Sequence, residues 1–136
     1  MDALHDLRVL DFGEDVSNAY ATRLLADLGA DVVKVELPGR GDSLRAWGPF
    51  PPGRDGDPEA GGLFRYLNAG KKSVALDLEE PADYRAFLDL VRGADLIVAS
   101  GARGTLEPLG CDFTTLRAEN PRLAMVRVSG FGETGP

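Results

Sequence analysis

Residues Leu24 to Asp42 read LLADLGADVVKVELPGRGD, and the fold is decided there. Leu24, Leu25 and Leu28 recur at helical spacing and stop at Gly29, a residue that ends helices because it adopts left-handed backbone without a side-chain clash. Ala30 to Glu36 is a β-branched run and reads as a strand. Working outward, Leu7 to Phe12 (LRVLDF) reads as a preceding strand, and the helix extends back to Ala19. A strand, a helix and a second strand at this spacing make a βαβ unit, and such units build a parallel sheet.

Downstream, Leu37 to Gly62 carries seven glycines and five prolines, a density that predicts an irregular loop throughout. Loops of this length in a compact domain are commonly functional. Phe64 to Asn68 predicts one helical turn and Ser73 to Leu78 a third strand. Pro81 suits the first position of a helix through Gly93, with Tyr84, Phe87, Leu88 and Val91 on one face. Asp95 to Ala99 is an apolar strand. Thr114 to Glu119 predicts a short helix before Pro121, and RLAMVRVSG a last strand. The order β-α-β-loop-β-α-β-α-β predicts an α/β fold: one Rossmann-like, three-layer domain over residues 1–136. In such sheets ligands gather beyond the carboxyl ends of the strands, the side on which the loop after Glu36 lies.

The chain has 136 residues, 43% of them hydrophobic, and a net charge of −7. No run approaches the ~20 apolar residues of a membrane helix, and the amino terminus lacks the pattern of a signal peptide. One cysteine suits a reducing cytoplasm. The acidic balance argues against a nucleic-acid surface, but an anionic small molecule needs only local cations. Arg40, Arg45, Arg65, Lys71 and Lys72 are the candidates; solvated surface charge explains them equally well.

Gly130, Gly132 and Gly135 satisfy G-x-G-x-x-G after a strand, but Pro136 follows at once where the dinucleotide fingerprint needs an opening helix. A loop that approaches some other ligand closely is the better reading. NAGKKS, Asn68 to Ser73, places two lysines after a glycine turn without the Walker spacing, and a solvated turn explains it as well. His5 reads as a surface residue and Cys111 as a packing residue. No metal-ligand spacing is present. Asp11, Asp31, Glu36 and Asp77 fall at strand edges, and none is marked as a general base. The residues themselves support binding of an anionic small molecule.

LRVLDF, LADLGADVVKVE, NAGKKSVALDL and SGFGETGP, in this order, resemble the N-terminal part of the class III coenzyme A transferases, the group that includes formyl-CoA and carnitine-CoA transferases and α-methylacyl-CoA racemases. The resemblance spans nearly the whole chain. It implies CoA, as acyl carrier, held by loops at the strand ends, with no metal. By position, Val16 and Ser17, in the loop after the first strand, would touch the adenine or ribose side. Asn68, Ala69, Gly70 and Lys71 would meet the nucleotide and its phosphates. Ser100, Gly101 and Ala102 would lie on the same rim, and Ser129, Gly130, Phe131 and Gly132 near the pantetheine. Family members often carry Arg after the strand-ending Glu; here Leu37 stands there, and Arg40 would supply the cation.

The resemblance also implies an aspartate that forms covalent acyl intermediates, placed downstream of Pro136, so that no catalytic residue is assigned in this chain. Acyl-CoA and carboxylates would be the substrates, with a missing C-terminal segment or partner chain, and a homodimer, completing a cytoplasmic enzyme. A racemase-type fragment and a non-catalytic CoA- or nucleotide-binding module are the alternatives.

Overall fold

The computed structural model describes residues 2–101, 104–132 and 134. Five strands form one sheet: β1 (Arg8–Phe12), β2 (Asp31–Glu36), β3 (Lys72–Ala75), β4 (Leu96–Ser100) and β5 (Ala124–Val128). Their order is β3-β2-β1-β4-β5, and every pairing is parallel. The helices are α1 (Val16–Asp27), α2 (Gly62–Asn68), α3 (Pro81–Gly93) and α4 (Phe113–Glu119). The Rossmann-like parallel sheet expected from the strand spacing is therefore present.

Side chains alternate across the strands, so each strand feeds two cores. Val9, Val32 and Val98 pack with Leu25 and Ala26 of α1. Leu10, Val35, Ile97 and Ala99 pack with Phe87 and Val91 of α3 and Leu116 of α4. Burying each of the valine, leucine, isoleucine and phenylalanine side chains among these contributes roughly 1.5–3 kcal/mol. Helices on both faces leave little polar surface for the strands, which explains the valines at 32, 33 and 35 of β2.

Three elements differ from the sequence reading. Helix α1 begins at Val16, because the Asp15 side chain accepts a hydrogen bond from the Asn18 amide and caps the first turn. Val16 and Ser17 thus open a helix; they are not in a loop. The glycine-rich loop contains a 3-10 turn at Ser43–Ala46, capped by Asp42 through the Leu44 amide at 2.7 Å. Strand β3 runs Lys72–Ala75, not Ser73–Leu78, as the chain turns where the Asp77 amide donates to Asp83. Helix α1 also keeps apolar residues on its outward face: Val16, Tyr20, Leu24 and Leu28 are all exposed. Among the described residues no helix is long and apolar enough to cross a membrane.

Candidate functional site

The strand order reverses between β1 and β4, and the loops that leave these two strands diverge. At that switch point two clefts adjoin. The first, about 660 Å³, is lined by Phe12 to Asp15 after β1, Val35 to Leu37 with Arg40 after β2, Leu76 to Glu79 after β3, and Ser100 and Gly101 after β4. Its apolar floor comes from Phe12, Val35, Leu76, Leu78, Leu106 and Leu109. The second, about 800 Å³, lies between Val16 and Ser17 at the start of α1, Trp47, and Val128 to Gly132 after β5. Glu14, Asp15 and Gly101 line both. Volumes of this size suit small-molecule ligands.

Glycine is required at the junction. A Cβ on Gly13 would stand 2.4 Å from Ser100 Oγ and 2.5 Å from Asn18 Cγ, so β1 and β4 can part here only around a bare backbone.

Behind the clefts lies a buried charge network, which the sequence reading did not anticipate. Asp11, fully buried, accepts hydrogen bonds from Asn18 Nδ2 at 2.6 Å, Thr22 Oγ1 at 2.8 Å and Lys71 Nζ at 2.8 Å. Lys34 Nζ lies 3.5 Å from the other Asp11 oxygen and 2.6 Å from Asp42 Oδ2, and it donates to the Gly13 carbonyl at 2.8 Å. Parallel register puts Asp11 beside Lys34. Buried charges persist only when paired and hydrogen-bonded, and this set ties the Gly13 turn and the loop at Asp42 to the sheet.

Glu36 ends β2 in a second network. Its carboxylate accepts Arg45 Nε at 2.7 Å, Arg45 Nη2 at 2.9 Å, Ser73 Oγ at 2.7 Å and the Asp42 amide at 2.8 Å. Burial by itself would raise its pKa; the Arg45, Ser73 and Asp42 hydrogen bonds outweigh it and bring the value down to about 2. Arg45 also lies 3.9 Å from the centre of the Phe64 ring and pairs with Glu59. Gly41, at φ +70°, allows the tight return of the loop over Glu36.

The structure separates the residues singled out from sequence. Arg40, Ser100 and Gly101 line the first cleft; Val16, Ser17, Gly101, Ser129, Gly130, Phe131 and Gly132 line the second. Ala102 lies outside the described residues, as does Gly135. Asn68, Ala69, Gly70 and Lys71 line neither cleft: they lead into the amino end of β3, whereas Ser129 to Gly132 leave the carboxyl end of β5. The single rim expected for all of them is not what the fold builds. The Lys71 ammonium donates to Asp11, to Asn68 Oδ1 at 2.7 Å and to the Ala19 carbonyl at 2.9 Å, and the side chain is 2% exposed. Burial pulls its pKa below the usual lysine range, against the pull of Asp11. Lys72 pairs with Asp31 at the start of β2. Of the five cations considered, only Arg40 lines a cleft.

His5 is exposed beside Asp6, and Cys111 is buried, its thiol pushed up to about 12 by burial and by Asp112. Neither lines a cleft.

The sequence and the fold resemble those of known proteins. The chain is 50% identical over 134 residues to a succinyl-CoA:mesaconate CoA-transferase of Haloarcula hispanica, covering 98% of this chain and 33% of that protein. It is 39% identical over 134 residues to a succinate–glutarate CoA-transferase of Agrobacterium fabrum, covering 98% and 34%. A CAIB/BAIF family protein from Brucella suis superposes with a TM-score of 0.86 at 36% identity, over 96% of this chain and 34% of that one. The chain thus spans about a third of the length of these relatives. The model of CoA-transferase family III matches residues 4–136, and with a parallel sheet that superposes on a solved relative, the chain belongs to that family.

Proposed function

We propose that this chain is the N-terminal, CoA-binding part of a class III acyl-CoA transferase, which moves CoA between carboxylic acids through an aspartate outside the matched residues. The observation that carries the reading is the pair of adjoining clefts at the carboxyl edge of a family III sheet. CoA is long, with an adenosine end, charged phosphates and a thin pantetheine arm. The apolar floor of the first cleft suits the purine. Arg40 is the cation for the phosphates, aided by the backbone amides of the turns at Glu14 and Gly101 and by the positive end of α1 at Val16 and Ser17. The pantetheine runs into the second cleft, past Trp47 and Ser129 to Gly132. Asn68 to Lys71 support the site from behind by holding Asp11.

The same reading makes the complete protein a cytoplasmic homodimer with acyl-CoA and carboxylates as substrates. The polypeptide that accounts for the other two-thirds of the relatives' length would cover the apolar outward face of α1 and carry the reacting acid.

Titration calorimetry of the chain with CoA tests the binding half. We expect saturable heat and a raised melting temperature; neither at millimolar CoA would overturn it. With the remaining polypeptide supplied, CoA transfer from succinyl-CoA to mesaconate, the pair in the name of the Haloarcula hispanica relative, tests the chemical half.

A further inference from the structure

The first cleft is lined by five carboxylates, Glu14, Asp15, Glu36, Asp77 and Glu79, and by one cation among the described residues, Arg40. An acidic lining opposes a phosphate-bearing ligand; Glu79 is exposed to solvent, and the other four carboxylates each need an account. Glu36 is neutralised by Arg45. Asp15 caps α1. Asp77 accepts from the Glu79 amide at 3.0 Å. Glu14 differs: its carboxylate pairs with Arg40 across the opening. Its backbone is held on both sides, the amide donating to Ser100 Oγ at 3.3 Å and the carbonyl accepting from Ser43 Oγ at 2.9 Å. Its side chain stands at the junction, lining both clefts.

We infer that Glu14 is a built-in counter-anion: it occupies Arg40 when no ligand is bound, and an incoming phosphate must displace it. Glu14 thereby sets how tightly, and with what preference for charge, the cleft takes a phosphorylated nucleotide ligand. This rests on the reading of the clefts as a CoA site. Displacement exchanges one arginine–oxyanion pair for another, so little is gained from Arg40 itself. The displaced carboxylate stays on its fixed backbone, and the phosphate then faces a like charge at short range. Removing the Glu14 charge relieves both penalties. Its influence falls with salt, because the pair is exposed to solvent.

The test is calorimetry on the full chain and on Glu14→Gln, with CoA, ADP and uncharged pantetheine as ligands. Gln keeps the acceptor and the shape and removes the charge. We expect Glu14→Gln to tighten CoA and ADP about 10-fold at low salt, less at high salt, and to leave pantetheine unchanged. Glu14→Ala should tighten CoA in the same direction, and Arg40→Gln should abolish most of the gain. Equal CoA affinity in parent and Glu14→Gln overturns the counter-anion role while leaving the CoA site standing. Equal tightening of pantetheine overturns it too, since charge would not be the cause. No CoA or ADP binding by either chain overturns both readings.

Discussion

Lys71→Met separates the two roles that a lysine after a glycine turn can play. Methionine keeps the unbranched stem and removes the charge and its donors. The native ammonium is enclosed, with acceptors at 2.7, 2.8 and 2.9 Å. Deleting one member of a buried ion pair costs about 3–5 kcal/mol, mostly because the other charge stays buried. Asp11 would retain Asn18, Thr22 and the more distant Lys34, so the cost belongs at the lower end, about 3 kcal/mol. With a urea m-value of about 1.5 kcal/mol/M, the midpoint should fall by about 2 M. The assay is urea titration by circular dichroism, paired with CoA calorimetry on the folded variant. CoA affinity should stay within about 3-fold, because the ammonium faces the interior. A midpoint within about 0.3 M of the parent's, together with a tenfold or greater loss of CoA affinity, would refute the buried role and return Lys71 to the ligand.

Two further expectations follow from the geometry. Glu36, held near 2 against an ordinary 4.5, favours the ionised fold, so its contribution is complete above about pH 5 and is lost as pH falls toward 2, at most about 3 kcal/mol; urea midpoints measured from pH 7 to 3 should fall further in the parent than in Glu36→Gln. Gly13→Ala puts a methyl against Ser100 Oγ and Asn18 and should cost about 1–3 kcal/mol by overpacking, and Ser100→Ala in the same chain should recover part of it; an unchanged melting temperature in the single variant would show that the turn has room.

The apolar periodicities around Gly29 and Pro81 were enough to read the parallel sheet, since a helix needs one apolar stripe and a doubly covered strand needs two apolar faces. Asp15 before Val16 is a legible helix start as well by the N-cap rule, which puts Val16 three residues ahead of the Ala19 start that apolar spacing gives. The Ser43–Ala46 turn was harder, because its cap, Asp42, sits among breakers and is recognisable only once Leu44 is seen to be buried. The site divides in the same way. That loops after β2, β4 and β5 would meet at one edge follows from parallel topology alone, and Arg40, Ser100, Gly101 and Ser129 to Gly132 are there. Which cations face a ligand does not follow. The chain by itself determined the strands, the helices and the edge where a ligand would sit, because these depend on local spacing. Only the tertiary structure decided that Lys71 and Arg45 turn inward and Arg40 remains at the opening, because a charge goes to its nearest opposite, and that partner is chosen by strand register and loop closure between residues far apart in sequence.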